Sequence, residues 1–498
     1  MRTIAELLRW RALRHPHLPA LRDDDRTVSY AELDRATTLL ANGLLHRGIR
    51  PGDRVAIFDR NSIAYVELLW ALAKCGAVAA LVNWRLTPRE SAQIVADAGA
   101  VLLVAGDDYA DACAGLGVPV ITFDALERVD DPDPRLDAEE EVVWQLYTSG
   151  TTGVPKGAML THLNLYACMG GLLVEAPDLH EGSVALVAMP LFHIGGCGWA
   201  AAMMFAGTTM VVVRDIVPDR LLRTMVDEQV ECAFLVPAVL LFLSALPGIE
   251  QVQLPALRQI FYGASPITPE LLERCIRLFG CAFTQVYGLT ETTGAITVLR
   301  FLDHRPELLL SCGRPNLGTQ VRCVDTDGTD VAPGEIGELL IRSAQVMAGY
   351  WRREDDTAHA IVDGWFHSGD AASIDAEGFV FIRDRIKDMV VSGGENVYPV
   401  EVEAALAAHP DVLDVAVFGV PDERWGETVR AAVVRRPGSS VDEGELLGFV
   451  TDRLAGYKRP RAIAFVDALP RNATGKVLKR ELREPYWAGH VRRVAGSG

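Results

Sequence analysis

Short runs that are apolar on both faces recur at helix-length intervals: RVAIF (54–58), AVAALV (77–82), VLLVA (101–105), PVITF (119–123), VALVAM (184–189) and TMVVV (209–213). A strand wet on one face alternates polar and apolar side chains, so runs like these belong to strands covered on both sides. The intervening segments supply that cover, which predicts an α/β architecture of packed sheets covered by helices. At 498 residues the chain also exceeds what one core sustains, ~250–300 residues. A large domain plus a smaller one is expected.

The boundary is expected near residue 387. GFVFIRDR (378–385) reads as a strand entering a turn, and a compact pattern follows. It comprises a helix (400–409), strands (414–420 and 429–436), a helix (445–454) and a strand (462–468). This predicts a large domain over 1–386 and a small α+β domain over 387–498. The net charge of −18 argues against a nucleic-acid partner, whose phosphates require a basic face. From Arg453 onward, however, 11 Lys/Arg stand against 3 Asp/Glu. Such an end suits a lid closing over phosphates held by the acidic main domain.

Residues 182–213 carry no Asp, Glu, Lys or Arg, long enough to span a bilayer. Pro190, Gly195, Gly196, Gly198 and Gly207 cut the stretch into a strand, the loop LFHIGG, a helix from Cys197 and a second strand. No transmembrane segment is therefore expected. The N-terminus, charged throughout, has no apolar signal core. Nine cysteines without a CxxC read as reduced thiols in a cytoplasmic protein.

Residues 147–157, YTSGTTGVPKG, directly follow the apolar VVWQL. Glycines let backbone N–H groups approach phosphate oxygens, hydroxyls donate further hydrogen bonds, and Lys156 adds a point charge. The loop is not a Walker A motif, because Lys156 is followed by Gly157 rather than Ser or Thr. In QVYGLTETTG (285–294), Glu291 beside Thr290 offers a carboxylate and a hydroxyl that can hold Mg²⁺ against phosphate oxygens. Of 48 Lys and Arg only six are lysine, and Lys156, Lys387 and Lys476 all fall in motif segments.

In order, YTSGTTGVPKG, QVYGLTETTG, GWFHSGD (364–370), DRIKDMVVSGGENVYPVEVE (384–403) and RNATGKVLKREL (471–482) resemble the signatures of the adenylate-forming superfamily. That superfamily spans acyl- and aryl-CoA synthetases, peptide-synthetase adenylation domains and firefly-type luciferases. The likeness covers essentially the whole chain and is strongest to bacterial fatty acyl-CoA and aryl-CoA ligases.

The resemblance implies roles. Thr148, Ser149, Gly150, Thr151, Thr152, Gly153 and Lys156 would wrap the triphosphate. Glu291, with Thr148, would bind Mg²⁺, and Thr290 would touch the α-phosphate. Tyr287 would stack near adenine, beside Gly288 and the segment Gly263, Ala264, Ser265, whose FYGAS departs from the usual GGA[AP]. Asp370 would bond the ribose hydroxyls and Arg385 would close on the same sugar. Lys387 would be the hinge of a mobile small domain, and Ser392, Gly393 and Gly394 would line the approach of the thiol. Lys476 would bridge the substrate carboxylate and the α-phosphate.

His193 in MPLFHIGG falls at the family's acid-pocket entrance, and the small residues 195–202 behind it would leave space for an acyl chain or ring. With no arginine or lysine in that stretch, an apolar acid is expected. The partners implied are a carboxylic acid, ATP and CoA. A carrier-protein phosphopantetheine in place of CoA, and a homodimer, stay open.

Overall fold

The computed structural model describes residues 2–134, 141–149, 155–385, 388–392, 395–422, 424–471 and 477–487, the side chains of Ser149 and Asn396 aside. Gly150, Thr151, Thr152, Gly153, Lys387, Gly393, Gly394 and Lys476 lie outside the described residues.

Among the described residues the strands form four sheets, and the runs apolar on both faces build the first two. One sheet orders Arg314–Pro315, Gly294–Leu299, Ala282–Leu289, Gln259–Gly263, Cys232–Leu235, Val184–Val187, Thr209–Val212, Pro19–Arg22 and Thr27–Ser29. It is parallel from Ala282–Leu289 through Pro19–Arg22. The second orders Gly349–Tyr350, Pro155–Thr161, Val142–Ser149, Val78–Leu81, Arg54–Phe58, Leu102–Ala105 and Val120–Thr122, parallel from Val142–Ser149 onward. Helices wrap both sheets around one large core. The helix Ile63–Cys75 is buried from Tyr65 to Cys75, and its Trp70 meets Trp144 edge-on at 6.4 Å. Several helices start where the sequence provides S/T-x-x-E: Thr3 with Glu6, Ser29 with Glu32 and Thr87 with Glu90 form reciprocal capping boxes.

A third, antiparallel sheet orders Thr319–Val324, Ile336–Ser343, Trp365–Ile374 and Ile361–Val362, with Val380–Arg385 on the far edge of Trp365–Ile374. Its strands mix charge and glycine with apolar residues, so apart from Val380–Arg385, read from GFVFIRDR, no run marks them in the sequence. The fourth sheet belongs to the small domain. It takes the expected strands as Val412–Asp422, Gly426–Arg435 and Ala462–Phe465, flanked by the helices Pro399–Ala407 and Glu443–Phe449. A hairpin of Val390–Ser392 and Glu395–Val397, not foreseen, adds to its edge.

One expectation needs correcting. The helix after His193 begins at Ile194, not Cys197, so Gly195 and Gly196 form its first turn rather than a loop. The His193 carbonyl accepts from the Gly196 and Cys197 N–H groups, each at 2.9 Å. A Cβ on Gly196 would stand 2.1 Å from the Pro190 carbonyl oxygen, so this glycine serves a close backbone approach. No helix among the described residues is long and apolar enough to cross a membrane. All nine cysteines are free and buried.

The buried His162 ring accepts a hydrogen bond from the Ile4 N–H at 3.3 Å, and burial lowers its pKa to about 4. The unfolded chain takes up this proton near pH 6.5 and the folded chain does not, so stability falls as pH drops from 6.5 towards 4. The full window amounts to roughly 3 kcal/mol. Urea denaturation of H162Q at pH 7 and pH 5 is expected to show a smaller loss than wild type. An identical loss in both proteins would rule the histidine out as its source.

Candidate active site

The two large sheets meet at a contact between strand ends. The strands Val142–Ser149 and Ala282–Leu289 run out towards each other, and the Thr148 hydroxyl donates to Glu291 Oε1 at 3.2 Å. The chain then turns as the short 3₁₀ segment Thr290–Thr292. Thr293 there holds φ at +57°, a left-handed conformation that costs energy outside glycine. Its hydroxyl donates to the Gln345 carbonyl at 2.6 Å. Thr148 and Glu291, expected to share a metal from far apart in sequence, are thus brought together. A carboxylate and a hydroxyl are hard oxygen donors, the set Mg²⁺ takes when phosphates and water complete its shell.

Lys156 stands directly across the hairpin from Thr148. Its Nζ lies 2.5 Å from Asp356 Oδ1 and 5.2 Å from the centre of the Tyr350 ring. The Tyr350 hydroxyl donates to Glu291 Oε1 at 2.9 Å. Tyr350 therefore meets both Lys156 and Glu291, one with the face of its ring and one with its hydroxyl. Backbone bonds fix it there: Met347 N–H donates to Glu291 O, Ala348 N–H to Met159 O and Trp351 N–H to Gly157 O, at 2.8–2.9 Å. Sequence reasoning missed Tyr350 and Asp356, whose segment carries no phosphate-binding signature. Ser149 ends the strand that carries Thr148.

Asp370, expected at the ribose, is buried and both its carboxylate oxygens are engaged. Oδ1 lies 2.7 Å from Arg385 Nε, its antiparallel strand partner, and Oδ2 accepts from the Tyr287 hydroxyl. Tyr287, expected beside adenine, thus also braces the carboxylate expected at the ribose. The parallel strands Gln259–Gly263 and Ala282–Leu289 bring Gly263, Ala264 and Ser265 alongside. A Cβ on Gly263 would stand 2.1 Å from the Val286 carbonyl oxygen, and one on Gly288 would stand 1.6 Å from that of Gly294, so both positions require glycine. Ala264, just past the neighbouring strand Gln259–Gly263, is exposed and holds φ at +67°, a second strained residue.

The His193 Nε2 atom is buried and has no hydrogen-bond partner among the described residues, while its ring packs on Phe192 at 4.5 Å. Burial, with a smaller push from Arg85, lowers its pKa to about 4, so the ring is neutral at physiological pH. The charge census of 182–213 did not reveal this cation, because Arg85 arrives from another segment. The small residues behind His193 are less open than expected. Trp199 donates to the Leu186 carbonyl at 2.9 Å, and Met203 and Met204 are fully buried in the main core. The Gly195 Cβ position faces the Phe234 ring at 3.0 Å, and that of Gly198 faces Ile194 at 3.1 Å.

Ser392 ends a hairpin strand of the small domain and pairs with Gly426. Another lysine stands close to the segment where the hinge was expected. Lys479, at the start of the helix Lys479–Trp487, lies 3.5 Å from Asp384 on the last strand of the large domain and 2.9 Å from Glu403 in the small one. Arg483 of the same helix reaches Asp388 at 3.0 Å. Burial pushes Asp384 up to about 6 against the pull of Lys479, whose ammonium the two carboxylates hold charged despite its own burial. Lys479 lies in the RNATGKVLKREL signature (471–482) and is one of only six lysines, but the signature drew attention to Lys476 instead.

Two family models match the chain, AMP-binding enzyme over residues 8–351 and AMP-binding enzyme C-terminal domain over 401–476. The fatty acid–[acyl-carrier-protein] ligase of Streptomyces coeruleorubidus is 38% identical, covering 99% of this chain and 98% of its own. The feruloyl-CoA synthase of an Amycolatopsis species is 41% identical, over 96% and 97%. Among solved structures, the Bacillus subtilis O-succinylbenzoate coenzyme A synthetase in complex with ATP and magnesium superposes with a TM-score of 0.87 at 32% identity, over 96% and 98%. The chain belongs to the AMP-binding enzyme family, the adenylate-forming superfamily of acyl- and aryl-CoA ligases, and is an ATP-dependent acid–thiol ligase.

Proposed function

We propose that the chain activates an apolar monocarboxylic acid, fatty or aromatic, as its acyl-AMP with release of pyrophosphate, and then transfers the acyl group to the thiol of CoA. The observation that supports this reading best is the convergence of Thr148, Glu291 and Lys156 on one pair of strand ends, with Asp370 and Arg385 beside them.

A carboxylate attacking the α-phosphorus of ATP approaches a centre ringed by negative oxygens, so catalysis here is charge neutralisation and in-line positioning. Lys156 and the hydroxyls of Thr148, Ser149, Thr151 and Thr152, with the N–H groups of Gly150 and Gly153, would hold the departing pyrophosphate. Glu291 and Thr148 would hold Mg²⁺, which when bound would neutralise phosphate charge. Thr290 would contact the α-phosphate, while Asp370 and Arg385 would take the ribose and Tyr287, Gly288, Gly263, Ala264 and Ser265 would surround the base. Neutral His193 would line the path of the acid. Lys476 would bridge both reactants, and rotation about Lys387 would then withdraw it and bring Ser392, Gly393 and Gly394 to the thiol. We place the reaction in the cytoplasm, whose reducing poise suits nine unpaired cysteines.

The test is CoA-dependent AMP release across a panel of acids. Each buried methylene adds up to ~0.8 kcal/mol, so kcat/KM is expected to rise over several carbons and then level off. Malonate and succinate are expected to be poor substrates, since residues 182–213 bring no Lys or Arg to a second carboxylate, which leaves Arg85 near His193 as the cation whose removal tests this expectation. A tenfold preference for a dicarboxylic or amino acid over every monocarboxylic acid would overturn the substrate class. One observation favours a second reading, transfer to a carrier-protein phosphopantetheine: the 38%-identical Streptomyces relative is a ligase of that kind. AMP release that needs a phosphopantetheinylated carrier and ignores CoA would select it.

A further inference from the structure

Asp356 has no place in the chemistry so far, yet it pairs with Lys156, the cation proposed to hold the phosphates. We propose that Asp356 is the counter-ion a bound triphosphate must displace from Lys156, so that it lowers nucleotide affinity and hastens the release of pyrophosphate. The inference rests on the reading of Lys156 as a phosphate ligand.

The geometry that carries it is the 2.5 Å contact between Lys156 Nζ and Asp356 Oδ1, formed across 200 residues of sequence. The Lys156 side chain is only 14% exposed, whereas Asp356, at 38%, keeps a path to water once released. The ammonium also lies over the ring of Tyr350, whose hydroxyl bonds Glu291. It is therefore parked one tyrosine away from the carboxylate assigned to the metal. Asp356 cannot drift from this position easily. It sits in the first turn of the helix Glu354–Ala360, and Thr357 in that helix accepts the Tyr350 N–H at 2.9 Å. A lysine ammonium is compact and rotates on a flexible stem, so it can exchange one anion for another without moving the backbone. A phosphate and the Asp356 carboxylate around one ammonium repel each other, and the ligand with the greater charge wins.

Equilibrium binding of ATP with Mg²⁺, without acid or CoA, tests this on the full chain. Asp356→Asn is expected to tighten binding about three- to fivefold, the range of a part-exposed ion pair, and to slow pyrophosphate dissociation. Asp356→Ser should do the same, which separates loss of the carboxylate from any effect of the amide. In a Lys156→Ala background, Asp356→Asn should leave the affinity unchanged, because no ammonium remains to compete for. Unchanged or weaker binding in both Asp356 variants, with normal binding by wild type, overturns the inference alone. Equal tightening with and without Lys156 also overturns it, since that reports plain charge repulsion. A wild-type chain that binds no ATP overturns the underlying site reading as well.

Discussion

Replacing Lys476 with alanine is expected to slow acyl-adenylate formation by about 10²-fold or more, the usual scale for a lost transition-state donor. The same variant should convert supplied acyl-AMP and CoA to thioester at a rate close to wild type. The asymmetry follows from the proposed geometry: an ammonium bridging the attacking carboxylate and the α-phosphate serves only the step in which that phosphorus is attacked. Lys476 belongs to the basic end of the chain, which carries 11 Lys/Arg against 3 Asp/Glu from Arg453 onward. A nearby basic surface cannot replace it, because catalysis depends on a charge held at one position rather than on the average field. Measuring pyrophosphate exchange and thioester formation separately decides the matter. Equal losses in the two half-reactions would falsify the bridging role.

The second large effect concerns Asp370. Its two oxygens hold Arg385 and the Tyr287 hydroxyl in a buried setting, so Asp370→Ala strips the acceptor from both at once. Removing one partner of a fully buried ion pair typically costs about 3–5 kcal/mol, and the 30% exposure of the Arg385 side chain puts this pair below that range. The denaturation midpoint of the large domain should therefore fall markedly, and ATP binding should be lost. Asp370→Asn separates the two consequences. The amide oxygen can still accept from Tyr287, so stability should recover in part while the charge facing Arg385 stays absent. If Asp370→Ala matched wild type in midpoint, the carboxylate would not be the keystone of this corner.

The parallel sheets were legible because strands buried on both faces must be apolar on both faces, as RVAIF and TMVVV are. The antiparallel sheet containing Trp365–Ile374 was legible only at Val380–Arg385, since its other strands mix WFHSGD-type polarity with short apolar pieces. The same contrast holds within the site. Thr148, Lys156 and Glu291 drew attention because the phosphate and metal chemistry proposed for them needs such groups on glycine-rich turns. Tyr350 and Asp356 do not, because their role comes from where the segment 345–357 is stapled, by bonds to Glu291, Met159 and Gly157 that no local pattern encodes. Arg85 was missed for a related reason: counting charges along 182–213 cannot reveal a cation arriving from another loop. The Gly195–Gly196 pair was read as a loop from composition, whereas close approach to Pro190 makes it the first turn of a helix.

The burial of every cysteine has a practical consequence. Burial raises the pKa of all nine thiols, so little thiolate forms at neutral pH and none of it faces solvent. A ligase that makes a reactive acyl phosphate anhydride beside an incoming thiol thus offers that anhydride no surface thiol of its own to acylate. For the experimenter the native background is silent to maleimides. A single cysteine introduced at an exposed position on each side of the proposed hinge would carry a fluorophore pair without removing any natural one, and the distance between the two dyes would then test the proposed domain rotation during turnover.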